Sequence, residues 1–180
     1  MSEDISASNS LIISTLIHPG RITGKDPQHP DYDPQPIITL LKAADIHIEL
    51  KDDAFPDIWT KYFFIASFGL VSARYNQSIG QVNENTELHQ RAEKIMKEIL
   101  AIARAGKINL PDDIINQTFK RAESFPYHTP TSLQLDVQSG KEQTELALFS
   151  GAIIRLGQEY GLDVAETLSI EREIQGLPSS

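Results

Sequence analysis

The sequence predicts a mainly α chain: a helical bundle preceded by a short N-terminal β-hairpin. Three observations point there. From Pro36 onward apolar residues recur at helical spacing, as in Leu88, Ile95, Ile99 and Ile102. Residues 62–73 form a run of twelve without a charge, apolar around the whole circumference of a helix. Ahead of these, Leu11–Ile17 is a β-leaning run stopped by Pro19 and Gly20.

Taken in order, Arg21–Gly24 reads as the return strand of the hairpin, followed by a loop with three prolines in residues 25–34. Pro36 suits a first helical turn, with Ile37, Leu40, Leu41 and Ala44 on one face. Ile46–Leu50 alternates with period two and is a strand candidate. A long helix covers about residues 54–75 and a second about 86–105, ended by Gly106. Leu110-Pro111-Asp112-Asp113 opens a third, its acidic residues placed where the helix dipole favours them. Pro126 and Pro130 bracket a break before a short helix at 131–137, stopped near Gly140. Leu146, Phe149, Ile153, Leu156 and Tyr160 form another stripe, closed by Gly161, and a last helix covers about 163–174. The expected division is residues 1–35, hairpin and proline-rich loop, and residues 36–180, the helical body.

With 180 residues, 40% of them hydrophobic, the chain can bury roughly two-thirds of its unfolded surface. Its 16 basic against 25 acidic side chains leave a net charge of −9. Such a field repels phosphate, and the scattered Lys and Arg make no basic patch, so neither nucleic acid nor membrane is an expected partner. The apolar run at 62–73 falls short of the ~20 residues of a membrane span. Cysteine is absent, which removes disulfides, thiolate metal sites and a cysteine nucleophile. His18, His29, His47, His89 and His128 show no spacing that brings two to one ion, so no metal is expected. HExxH, GxSxG, P-loop and GxGxxG patterns do not occur. The acidic, polar start carries no readable targeting signal, and the expected location is the cytoplasm.

Two places could carry chemistry. Lys61 is the one charge between Ile58 and Ala73. A buried lysine holds its proton less tightly and can act as a general acid near neutral pH. At a helix start it can equally lay its stem over apolar neighbours and reach water. The second place is Thr131–Asp136 with Glu145. Ser132 and Asp136 share a face, while Thr129 or Thr131 as an N-cap and Glu145 in a first turn give a purely structural account. Both pairs of readings stand on the residues alone.

In order along the chain, several short motifs resemble the C-terminal domain of the ketopantoate reductase (2-dehydropantoate 2-reductase) family. They are Pro19–Ile22, Trp59-Thr60-Lys61, Glu98 within Lys97–Gly106, Thr131–Asp136, Gly140, Thr144-Glu145 and Ser150–Gly157. The resemblance runs from about residue 11 to 175. It implies a bundle of that family's C-terminal type, which is like the 6-phosphogluconate dehydrogenase C-terminal domain. It also implies the substrate-side domain of an NADPH-dependent reductase acting on a small-molecule 2-keto acid on the route to pantothenate. NADP(H) would then be held by a Rossmann domain in the same or another chain, with residues 1–35 as the tail of that domain. Lys61 matches the proton donor, Ser132 the substrate-binding hydroxyl and Glu145 the carboxylate where cofactor meets substrate. Ile65 and Gly69 depart from the family, which commonly carries asparagines there, and Ser150 stands where an asparagine usually precedes the glycine. Those losses favour an alternative, a non-catalytic helical module for dimerisation or ligand sensing. A homo-oligomer is expected on either account, because apolar surface facing a cofactor domain would otherwise be exposed.

Without a glycine-rich turn leading into a helix N-terminus, the 180-residue chain is expected to bind no NADPH and to be inactive alone. Calorimetric titration checks this, and a dissociation constant in the low micromolar range would contradict it.

Overall fold

A computed structural model of the protein describes residues 21–24, 33–46, 48–51, 53, 55–141 and 144–176. The chain falls into two compact units, Met1–Ile58 and Trp59–Ser180.

The first unit holds strand β1 (Arg21–Gly24), helix α1 (Gln35–Ala43) and strand β2 (Ile48–Lys51). The strands pair in parallel, in register from Arg21 opposite Ile48 to Gly24 opposite Lys51. Parallel strands cannot be joined by a tight turn, and α1 lies on the crossover between them. The described partner of Arg21–Gly24 is therefore β2; the other strand of the expected hairpin, Leu11–Ile17, lies outside the described residues. In α1, Pro36 occupies the first turn. The helix ends at Asp45, in the left-handed region at φ 56°, where the Ile46 N–H returns to the Leu41 carbonyl at 2.9 Å. Its buried residue is Ile38, while Leu40 is 69% exposed, one position away from the expected face. Helix α1 is in contact with β2, and Ile38 rather than the wider apolar stripe is its buried residue.

In the second unit α2 (Phe55–Tyr75) is the axis. Burial is continuous from Ala66 to Ala73 and includes Phe63 and Phe64, as an all-round apolar helix requires. Around it stand α3 (Ile79–Glu84), α4 (Thr86–Ala105), α5 (Ile114–Ala122), α6 (Ser132–Gln138), α7 (Leu146–Tyr160) and α8 (Ala165–Ile174). Phe64 stacks on Phe68 and Phe125 at 5.0 and 5.2 Å between ring centres, and Phe68 meets Phe119 of α5 edge-on at 5.9 Å. Helix α4 buries Leu88, Ala92, Ile95, Met96, Ile99, Ile102 and Ala103, a single face that packs on α3, α5, α7 and α8. Periodicity missed α3, six residues long and so under two turns. It is held by a capping box: the Gln81 N–H donates to Ser78 Oγ at 3.3 Å and the Ser78 N–H to Gln81 Oε1 at 2.8 Å. No helix among the described residues is long and apolar enough to cross a membrane.

Polar side chains lock α8 onto this frame. Val164, the N-cap of α8, offers no side-chain hydrogen bond, and Glu98 of α4 supplies one. Its Oε1 accepts the Glu166 N–H at 2.7 Å, and its Oε2 accepts the Thr167 N–H at 3.1 Å and the Thr167 hydroxyl at 2.5 Å. Burial nevertheless raises the pKa of the Glu98 carboxyl, against the pull of those donors. Arg91, also on α4, grips Glu173 of α8 with both terminal nitrogens at 3.0 Å, reaches the Tyr75 hydroxyl at 2.7 Å and pairs with Glu166. Arg74 adds a bond to Glu173 at 2.7 Å.

The hydrogen bonds from Arg91, and then from Arg74 and Ser169, hold the Glu173 carboxyl down to about pH 2 against an ordinary value of 4.5. A lowered carboxyl contributes stability that is present above the unfolded value and lost as pH falls through the folded one. Urea midpoints should therefore drop between pH 4.5 and pH 2. Glu173→Gln should flatten that drop and cost about 1.5–3 kcal/mol at neutral pH, the scale of a hydrogen bond to a charged group.

Candidate functional site

Lys61 sits at the margin of burial on α2. Residues 55–62 are exposed or half-buried, and burial becomes complete at Phe63. Lys61 is half-buried, and among the described residues no carboxylate pairs with it. Its neighbour Tyr62 donates from its hydroxyl to the Phe149 carbonyl of α7 at 2.6 Å. Burial raises the Tyr62 pKa, more than the charge of Arg155 lowers it, so this donor stays protonated. Two turns beyond Lys61, a methyl group placed on Gly69 would lie 3.3 Å from the Phe149 ring and 3.9 Å from Leu133 Cβ. Positions four apart on a helix advance only about 40° around it. Lys61, Ile65 and Gly69 thus form one row leading into the seam where α2 meets α6 and α7.

The starts of those two helices hold the other candidates. Thr131 caps α6, its Oγ1 accepting the Gln134 N–H at 3.2 Å while Gln134 Oε1 accepts the Thr131 N–H at 3.3 Å. The cap is thereby filled, and Ser132 is left to point outward. Ser132 Oγ donates to Glu145 Oε2 at 2.9 Å. Glu145 is the N-cap residue of α7 but makes no side-chain bond to that helix; its carboxylate faces Ser132 instead. Its carbonyl accepts the Phe149 N–H at 3.0 Å, so Glu145 lies one turn from the residue that Tyr62 grips. Ser132 and Glu145 are brought together by a bond of their own. Lys61 makes no bond with either and is tied to them through Tyr62 and Phe149. Asp136, expected on the face of Ser132, pairs with Lys141.

Chemically, Lys61 offers a cation with three donors, and the starts of α6 and α7 offer a hydroxyl paired with a carboxylate. A carbonyl or carboxylate can accept from Lys61, and an acceptor at α6 can compete with Glu145 for the Ser132 proton. Pattern reading of the residues overlooked Tyr62 and Phe149, whose contact joins a side chain to a backbone carbonyl eighty-seven residues away. It also overlooked Gln134, although Thr131-x-x-Gln134 is a readable capping box. A separate cavity of about 630 Å³, lined by Val137, Lys141, Thr144, Leu146, Glu171 and Ile174 among others, does not include the three candidates in its lining.

The start of α1 does not fit a dinucleotide's pyrophosphate. A pyrophosphate is held by backbone N–H groups at a glycine-rich helix start. The helix after β1 has Pro34 as its N-cap residue and Pro36 in its first turn, with no side-chain cap bond, and proline has no N–H to give.

Residues 53–177 match the family model described as Ketopantoate reductase PanE/ApbA C terminal. The chain belongs to the ketopantoate reductase family. It is similar to a 2-dehydropantoate 2-reductase of Archaeoglobus fulgidus, 25% identical over 79% of this chain and 47% of that one. In fold it is similar to a dimeric ketopantoate reductase from Staphylococcus aureus, with TM-score 0.75 and 16% identity, covering 89% of this chain and 54% of the other. It is likewise similar to a D-mandelate dehydrogenase solved with NADH and anilino(oxo)acetate, with TM-score 0.73 and 15% identity, over 87% of this chain and 52% of that one. The chain spans about half the length of the relatives it matches. The family match covers the helical body that carries Lys61, Ser132 and Glu145.

Tyr62→Phe removes the second donor to the Phe149 carbonyl, which as a residue within α7 keeps its intrahelical partner, so it should lower stability by about 0.5–1.5 kcal/mol. Denaturant unfolding checks this, with an unchanged midpoint as the contrary result.

Proposed function

We propose that this chain is the helical, substrate-side domain of an NADPH-dependent 2-keto acid reductase of the 2-dehydropantoate 2-reductase type. Family membership supports the general chemistry. The observation that carries the assignment to named residues is the Ser132–Glu145 hydrogen bond at 2.9 Å, between residues for which capping was the competing explanation. Thr131 does the capping of α6, and Glu145 makes no cap bond to α7, so neither Ser132 nor Glu145 is used up structurally.

In this reading Lys61 Nζ donates a hydrogen bond to the keto oxygen and gives up a proton as the alkoxide forms. Ser132 Oγ hydrogen-bonds the substrate, and Glu145 orients that hydroxyl where substrate and cofactor meet. NADP(H) is held by a Rossmann domain in the same or another chain. Residues 1–35 are the tail of that domain, which the compact unit through Ile58 would extend. The assembly is a cytoplasmic homo-oligomer engaged in pantothenate biosynthesis.

A second reading is favoured by one observation. The Phe149 ring lies against Gly69, leaving little room for a polar side chain there in the row that begins at Lys61. That suits a non-catalytic module for dimerisation or ligand sensing. The readings part on turnover: in the intact protein joined to its cofactor domain, Lys61→Ala should lower the rate of 2-keto acid reduction roughly 10²–10⁴-fold. An unchanged rate, or no reduction of any 2-keto acid by the unmutated protein, would remove the catalytic reading.

A further inference from the structure

Helix α6 has seven residues, too few to be stable on its own, yet its first residue is Ser132. What holds it in register is an amide cluster at the far end of α2. Asn76 follows the last residue of α2 in the left-handed region, at φ 54°, a conformation that asparagine tolerates better than most residues. Its side chain is turned toward α6, where Asn76 Oδ1 accepts from Gln134 Nε2 at 2.9 Å and also from Gln138 Nε2. Gln134 is 6% exposed, and its amide is used at both ends: the oxygen completes the capping box at Thr131, the nitrogen binds Asn76. Cap and anchor are thus one side chain. Since α2 is the buried axis that also bears Lys61, Asn76 is a post on the same rigid body, about 22 Å along it from Lys61 at 1.5 Å per residue.

We propose that Asn76 is a positioning residue for Ser132, acting through Gln134 and Gln138 to fix the start of α6 in the frame of the helix that carries Lys61. This rests on the proposed function only for what Ser132 does. The clamp itself is a statement about the chain.

The test uses substitutions that separate the amide from the backbone. Asn76→Gly keeps the left-handed φ at no steric cost and removes the acceptor. Asn76→Asp keeps the acceptor. Amide hydrogen exchange of the 180-residue chain should show α6 exchanging about tenfold faster in Asn76→Gly, which loses the hydrogen bonds from Gln134 and Gln138, with α4 unchanged. Asn76→Asp should restore the native rate. Equal exchange in all three chains, or acceleration spread evenly over α4 and α6, would overturn the clamp. In the intact reductase, Asn76→Gly should lower kcat/KM at least tenfold with Asn76→Asp near native, since small misplacements of a positioning group are costly. Local loosening of α6 with no change in kcat/KM would overturn the positioning role and leave the catalytic reading intact. Absence of any reductase activity in the native protein would instead remove the reading of Ser132, with the exchange result standing apart.

Discussion

Everything in the second unit is arranged to keep water from one helix. From Phe63 to Ala73, α2 presents apolar or small residues in every direction, and a helix of that kind has no solvent face. It must be surrounded, and each neighbour is attached to it differently: α5 through the Phe68–Phe119 contact, α7 through Tyr62 and the Phe149 carbonyl, α6 through Leu133 against Gly69 and the amides at Asn76. The candidate site is a by-product of that enclosure. Where wrapping begins, at Lys61, burial is half complete, and the starts of α6 and α7, which pack further along the seam, hold Ser132 and Glu145 in a hydrogen bond to one another.

The outer layer solves a different problem. Helix α8 is amphipathic and brings charges to its contact with α4. Burying them is tolerable only if each is paired and hydrogen-bonded. Arg91 meets two carboxylates and a tyrosine hydroxyl, and Glu98 meets two backbone N–H groups and a hydroxyl. The network fixes the rotation of α8 about its own axis, which hydrophobic packing alone would leave adjustable. None of these side chains touches Lys61, Ser132 or Glu145, so the network serves the scaffold and leaves the site free.

How much of this was legible follows from the kind of interaction involved. The long helices were readable because burial on one face repeats every three to four residues, and α4 buries the stripe that spacing marked out. Helix α3 was not, being shorter than the window in which a period shows; its signal was the Ser78-x-x-Gln81 box. In α1 the stripe that spacing marks lies one residue from the buried position, since Ile38 is buried and Leu40 is left to solvent. The pairing of β1 with β2 joins strands separated by a helix, and no local pattern encodes it. The Ser132–Glu145 bond was also invisible to spacing, since thirteen residues separate its partners and both are common helix-start residues. The residues alone marked the two places as candidates with capping as an equal account, and the order of motifs along the chain gave them their roles.

The exposure of the candidate site has its own consequence. A lysine and a serine–carboxylate pair act most strongly on developing charge where water is excluded and the effective dielectric is low. Here Ser132 and Glu145 are exposed and Lys61 is half-buried. Beside them, one turn along each helix, Leu135 is 50% and Leu148 60% exposed, apolar surface flanking a polar pair. Such side chains can be covered when a second body packs on them. On the proposed function the covering body is the cofactor domain, and its arrival would do two things at once. It would bury the leucines, giving association its driving force, and it would dehydrate the Ser132–Glu145 bond and the Lys61 ammonium, strengthening the interactions that reduction of a ketone requires. On that reading binding and chemical competence would be the same event.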